Sequence, residues 1–380
     1  MLGVRKRIFP EGFELWQRIA TIPLRTRIEC DRFEQVKFAA EASAELASRM
    51  ARIPPMNERS DPREEWIRSR AQQVSNRELS GRLVVIRDTT NYMSIERDHI
   101  IDLQGSLFLV RCNEREGRFG LEDQPKFWVK RALSLESGRT YILKLVFQEE
   151  FLVRVGPLQA KCVRSADKEA RVLDLVRGDS RFMQGITASD SRGNLVRVID
   201  FIPGTDLLSY LYSIRLGHEE YFHTLFPGIL SRILDCLRGI GNLHEAGLCH
   251  GDIRNDHLLV ERETGRYRWI DFDLTQEFSD FDVWSVGNIL HCIVARGFTN
   301  FRETVQSRPE LSGRLVEEDA SMFFPHRIMN LRKVYPYIPD ALNRVLLRFS
   351  VGTRVYYENV GQIVEDLEAC AATLGLPETL

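Results

Sequence analysis

The sequence predicts an α+β protein in which a strand-rich segment precedes a helix-rich one. From Leu83 to about Gly204, short apolar runs of β-favouring residues alternate with polar turns. Apolar residues then recur at helical spacing in Leu230–Glu245, and again through Ile338–Leu374. Within the second half, Leu243–Asp273 reads LHEAGLCHGDIRNDHLLVERETGRYRWIDFD. It predicts a helix end, a tight polar loop, a short strand, a turn, and a second strand ending in carboxylates.

The elements follow in order. Phe33–Ile53 is rich in Ala and Glu with an approximate apolar stripe, which predicts a helix that Pro54-Pro55 ends. Asp61-Pro62 then supplies an N-cap and a first-turn proline for a second helix to about Val74, with Trp66 and Ile67 as its candidate buried side chains. Residues 1–95 are expected to be a helical extension packed on a main domain of residues 96–380. In the main domain, Leu107–Val110, Phe127–Leu133 and Tyr141–Phe147 read as strands, and Ser137-Gly138 as a turn. A glycine turn, Glu114–Gly120, follows the first of them, and Leu121–Phe127 is expected to be an inserted loop stiffened by Pro125. Ala166–Val176 predicts a helix with Ala170, Leu173 and Val176 on one face. Leu230–Glu245 predicts another, ended by Gly247. Leu258–Val260 and Tyr267–Phe272 are the strands of the central hairpin, while Phe301–Tyr337, with three prolines, is expected to be irregular.

The central hairpin brings Asp252, just before its first strand, towards Asp271, at the end of its second. Two converging carboxylates beside Arg254 suit a metal–phosphate site. Lys144 lies inside an apolar strand, where an ammonium needs a partner; a carboxylate on the following helix, Glu169 or Asp174, could provide it.

HGD followed by LLV and then IDFD resembles the catalytic and metal loops of the protein kinase-like superfamily, with Gly after His as in aminoglycoside phosphotransferases. The order of glycine loop, Lys144, Glu169, hinge, Asp252, Asp271 and DVWSVG (282–287) extends that resemblance over residues 100–375. It implies a two-lobed α+β fold, with a small antiparallel β-rich lobe over about 96–203 and a large helical lobe over about 204–380. The resemblance further implies that Gly117, Phe119 and Gly120 cover nucleotide phosphates, although Arg115 takes the first glycine position. Lys144 would pair the phosphates and Glu169 would hold Lys144. Asp200–Ile202 would meet an adenine edge and Asp206 a ribose. Asp252 would orient the acceptor hydroxyl, Arg254 would lie against the transferred group, and Asp271 would hold Mg²⁺. His257 stands where the family places a metal-binding Asn, and imidazole is a poor ligand for Mg²⁺; His257, Asp256 or Asp273 would take the second metal position. The short interval of ten residues between Asp271 and Asp282 leaves no room for the usual activation segment.

Two functions stay open on this reading. One is ATP- and Mg²⁺-dependent transfer of a phosphoryl group to a hydroxyl of a protein Ser/Thr or a small molecule. The other is a pseudokinase that binds nucleotide or scaffolds without catalysis. Composition adds little: 43% apolar and 28% charged residues and a net charge of −2 ask for neither nucleic acid nor membrane. Seven scattered cysteines without a CxxC predict reduced thiols in a cytoplasmic protein.

Overall fold

The structure is a computed structural model that describes residues 61–79, 81–118, 121–155, 158–276 and 281–373. The expected helix Phe33–Ile53 lies outside those residues. The chain divides into two units, Met1–Arg70 and Ala71–Leu380. The described part of the first opens helix α1 (Pro62–Ser75), where Asp61 Oδ1 accepts the Arg63 N–H at 2.9 Å. Trp66, expected to be buried, is 56% exposed. Ile67, the other candidate, is buried at 2% exposure, and the buried face of the helix runs from it to Ala71, which leaves the neighbouring Trp66 outside that face.

In the second unit the small lobe is a seven-stranded sheet in the order β1-β2-β3-β4-β5-β9-β8. Its strands are β1 (Val85–Ile86), β2 (Ile100–Leu103), β3 (Ser106–Arg118), β4 (Leu121–Ser134), β5 (Thr140–Lys144), β8 (Gly185–Ser189) and β9 (Leu195–Asp200). Only β1 and β2 are parallel neighbours. The sheet takes in Val85–Ile86, which the sequence places in the extension. Strands β3 and β4 pair from Phe108↔Ser134 out to Arg118↔Leu121, with three register shifts. Residues 121–127 are therefore strand and not the expected loop: they continue a ladder that β3 extends beyond its apolar part. The pleat turns Leu143 and Leu145 into the lobe's core with Phe108, Val110, Trp128 and Val198, while Lys144 faces the other way.

A second hairpin, β6 (Glu150–Val155) and β7 (Leu158–Arg164), precedes helix α2 (Ala166–Leu175). Strand β7 pairs with β13 (Leu274–Gln276), directly after the metal-loop sequence. Ser165 caps α2 by accepting the Lys168 N–H at 3.2 Å.

The large lobe is built around α5 (Phe226–Glu245), whose Ile229, Leu230, Ile233, Leu237 and Ile240 share one core with α6 (Phe281–Ala295), α8 (Asp340–Leu347) and α9 (Val360–Thr373). A small sheet, β10 (Gly204–Asp206), β11 (Leu258–Glu261) and β12 (Tyr267–Trp269), carries the loops of interest. The second hairpin strand stops at Trp269, short of the expected Phe272, because Asp271 turns into the left-handed region at φ 68°. Among the described residues, no helix is long and apolar enough to cross a membrane.

Candidate active site

Strand β5, helix α2 and the turn after β12 bring Lys144, Glu169 and Asp271 together. Lys144 Nζ lies 2.7 Å from Glu169 Oε1, 2.7 Å from Asp271 Oδ1 and 3.0 Å from Asp273 Oδ2. Burial alone would lower the lysine's pKa, but Asp271, Asp273 and Glu169 reverse that and hold it above its ordinary value. Glu169 is fully buried and also receives Arg197 Nε at 3.1 Å and the Phe272 N–H at 3.3 Å. Burying this many charges is tolerable only because each finds an opposite one. Asp271 is held well below the usual carboxylate range. Burial pushes it up, and Lys126 first, then Lys144, His257 and Arg164, more than offset that. Its φ of 68° lies in the left-handed region, which Asp tolerates better than most residues with a Cβ.

The loop before β11 is held from below. Asp282, at the start of α6, accepts the N–H of His250 at 2.7 Å and of Gly251 at 2.8 Å, and meets His244 Nε2 at 2.9 Å. His250 is fully buried 4.4 Å from the Phe272 ring, and burial pushes its pKa down to about 3. Gly251 has φ 82°, and a Cβ there would stand 1.9 Å from the Leu274 carbonyl oxygen and 3.0 Å from Lys168 Nζ. No side chain fits that space. Lys168, buried on α2, instead donates to the carbonyls of His250, at 2.8 Å, and Leu274.

Asp252 projects from this loop with 14% of its side chain exposed, and its pKa is raised, chiefly by burial, with His257 and Arg254 pulling the other way. Arg254 reaches towards Asp252 at 3.9 Å but is clamped by Asp256, its Nε 2.9 Å from Oδ1. His257 lies between the two carboxylates. Its Nδ1 is 2.8 Å from the Asp252 carbonyl oxygen and 3.6 Å from Asp252 Oδ2, and its Nε2 is 3.5 Å from Asp271 Oδ2. A carbonyl only accepts, so Nδ1 carries the proton and Nε2 is the atom turned to Asp271. Asp273 is engaged by Arg164 at 2.6 Å as well as by Lys144. Of the three candidates for a second metal position, only His257 therefore faces both Asp252 and Asp271.

Among the described residues, no group of three or more His, Cys, Asp or Glu side chains is arranged to hold a metal by itself. Mg²⁺ keeps its waters and is shared between one or two carboxylates and substrate phosphates. The oxygen donors of Asp252 and Asp271 fit such an ion, and the nitrogen of His257 fits it less well.

The remaining expected positions are more dispersed. Gly117 lies within β3, whereas Phe119 and Gly120 fall outside the described residues. Asp200 donates its N–H to the Gln184 carbonyl at 2.8 Å and Phe201 donates to Thr140 at 3.4 Å, so the N–H share of the hinge expectation falls to Ile202. Asp206 caps helix α3 (Leu207–Ser213), accepting the Ser209 N–H at 2.8 Å.

Sequence reasoning missed four charged residues of this cluster: Lys126, Arg164, Lys168 and Arg197. Arg197 stands in a β-favouring run, the same signal that drew attention to Lys144, whereas Lys126 follows Pro125 just before such a run. The signal for the β6–β7 hairpin was the apolar alternation on either side of Gly156-Pro157.

The fold and site together define a two-lobed, kinase-like α+β architecture. No family model matches the chain. It is similar to the serine/threonine-protein kinase LATS1 of Homo sapiens, 27% identical over 199 residues, which cover 52% of this chain and 15% of that protein. It is also similar to the serine/threonine-protein kinase Warts of Drosophila melanogaster, 33% identical over 145 residues (37% of this chain, 12% of that protein). The serine/threonine-protein kinase CBK1 of Pneumocystis carinii is 26% identical over 152 residues, or 40% of this chain and 27% of that protein. The matches thus span about a quarter or less of these relatives' own length. At low identity and over part of the chain, they support a place in the protein kinase-like superfamily.

Proposed function

We propose that this chain is an ATP-dependent phosphotransferase that moves the γ-phosphate to a hydroxyl, with the site built around Asp271. The observation that carries the reading is Lys144, whose ammonium meets Glu169 and Asp271 at 2.7 Å each. A cation so held from both sides is positioned to pair phosphates, and phosphoryl transfer depends mainly on positioning and charge stabilisation. Asp271, with His257 beside it, holds the metal edge of the site; Mg²⁺ supplies charge neutralisation on the phosphate chain when bound. Asp252 orients the acceptor hydroxyl and takes its proton, a role that its burial-raised pKa suits. Arg254 stands beside the transferred group. Gly117, Phe119 and Gly120 cover the phosphates, the Ile202 backbone meets the base, and Asp206 lies towards the ribose. The names of the relatives favour a protein Ser/Thr hydroxyl over a small molecule as acceptor.

A second reading, a pseudokinase that binds nucleotide without transfer, is favoured by one observation: the imidazole of His257 between the two carboxylates. Incubation with ATP labelled at the γ-phosphate, Mg²⁺ and a panel of Ser/Thr peptides separates the two. Transfer by the wild type that is lost in Asp252→Asn supports the phosphotransferase. Binding of Mg·ATP with no transfer by the wild type above a protein-free control supports the pseudokinase.

A further inference from the structure

Between α6 and α8 the chain passes through residues 301–337, and in that stretch the backbone of Arg327 is tied on three sides. Its N–H donates to the Phe324 carbonyl at 2.8 Å, its carbonyl accepts the Ser321 N–H at 2.9 Å, and a β-bridge pairs it with Asn300. The guanidinium carbon lies 4.0 Å from the ring centroid of Phe298 and 4.0 Å from that of Phe324. Nη1 donates to Asn288 Oδ1 of α6 at 3.3 Å. A fixed backbone and two aromatic walls hold the fork of donors in one place.

This cation is desolvated without an anion. Its Nε is buried with no hydrogen-bond partner, and among the described residues no carboxylate pairs with it. Burial pulls its pKa down to about 10, and the groups that work against burial are Cys292 and Tyr212. Burial pushes both of those up, Cys292 to about 12, so near neutral pH they carry no charge and offset nothing. Lys144 and Arg164, by contrast, each meet carboxylates. A desolvated guanidinium left unpaired is unfavourable, and a carboxylate presented to its fork gains a two-pronged, charge-assisted pair.

Two elements of the candidate site lead to this arginine. Asp282, which holds the loop of Asp252, stands at the start of α6, and the helix rises about 9 Å from there to Asn288. Asp206 caps α3, which rises about 9 Å from it to Tyr212. Tyr212 closes against the end of α6, where a Cβ on Gly297 would come within 2.7 Å of its ring. An extended peptide covers about 9 Å in about three residues.

We propose that Arg327 is a specificity-determining residue of the acceptor site: it receives a glutamate or aspartate side chain of the protein segment whose Ser or Thr lies at Asp252, about three residues away along an extended chain. This rests on the reading of the chain as a phosphotransferase with a protein acceptor. In consequence the preferred acceptor segment is acidic, and salt weakens its recognition.

The test uses fluorescein-labelled peptides that share one acceptor serine and carry glutamate, alanine or lysine at the flanking positions. Fluorescence anisotropy measures their binding to wild type, Arg327→Gln and Arg327→Lys, and labelled ATP measures transfer to the same peptides. Wild type should bind the glutamate peptide about tenfold or more tightly than the alanine peptide, the equivalent of one charge-assisted hydrogen bond. Arg327→Gln should bring the two within about twofold, and Arg327→Lys should keep most of the preference. In transfer, Arg327→Gln should raise KM for the glutamate peptide and leave kcat unchanged. Equal binding of the glutamate and alanine peptides by wild type, which needs no variant, overturns the inference. So does tighter binding of the lysine peptide, or a glutamate preference that survives intact in Arg327→Gln. Arg327-dependent binding of the glutamate peptide without any transfer keeps the docking site and removes the phosphotransferase reading. Transfer that favours the alanine or lysine peptide does the reverse.

Discussion

Gly251 stands where the resembling family usually carries arginine, so the intuitive repair is Gly251→Arg. The structure predicts that this repair damages the protein, and that even Gly251→Ala does. A left-handed φ of 82° costs a residue with a Cβ about 1–2 kcal/mol. The added carbon would stand 1.9 Å from the Leu274 carbonyl oxygen, so the start of β13 must move. That carbonyl accepts from the buried Lys168, and losing a charge-assisted bond inside the protein costs about 1.5–3 kcal/mol more. Together these amount to roughly 3–5 kcal/mol. For a folded unit of roughly 300 residues, unfolding entropy scales to about 0.6 kcal/mol per degree, so Tm should fall by roughly 5–8 °C in Gly251→Ala. Differential scanning calorimetry measures it directly. A Gly251→Ala protein melting within about 1 °C of wild type, or a Gly251→Arg protein that keeps wild-type melting and nucleotide binding, would refute the reasoning.

Other expectations follow from the same geometry. His257→Asn should preserve or raise metal-dependent phosphoryl transfer if the imidazole merely replaces a metal ligand; complete loss of transfer in a folded variant contradicts this. Acid should destabilise the fold through two buried histidines outside the site. Burial, reinforced by Arg327, pushes His291 down to about 3, and burial pushes His218, stacked on Tyr335, down to about 4. In the unfolded chain both titrate near 6.5, so below that pH the unfolded state binds more protons. Their contribution is complete above about pH 6.5 and is lost progressively as pH falls towards 4 and 3. Melting curves from pH 7.5 to 5 should show a falling Tm with a shallower slope in His291→Gln; a pH-independent Tm contradicts the assignment.

Much of this fold was legible because local signals agreed. The α5 stripe, the Ser165-capped helix and the hairpin around Glu263-Thr264-Gly265 each follow from spacing and turn chemistry. Strand ends were less legible, because tertiary context decides them. Residues 121–127 carry polar side chains and a proline, yet ladder pairing with β3 keeps them extended. Trp66 misled because the buried face of its helix runs through Ile67 and Ala71 and leaves the neighbouring indole outside it. In the site, the single residues Lys144, Glu169, Asp252 and Asp271 stood out by type and order. Their supporting charges did not, since partners such as Arg164 for Asp273 and Arg197 for Glu169 lie far apart along the chain. A lysine in a β-run signals that some carboxylate is near, and only the folded register says which.

The proposed function stands or falls with Asp271 as the anchor of a metal–nucleotide complex beside Lys144. Isothermal titration of wild type and Asp271→Ala with ATP, with and without Mg²⁺, tests it most directly. Wild type should bind ATP more tightly with Mg²⁺, and Asp271→Ala, still folded by circular dichroism, should lose that metal dependence. Equal Mg·ATP affinity in the two proteins, or wild-type binding indifferent to Mg²⁺, would contradict it.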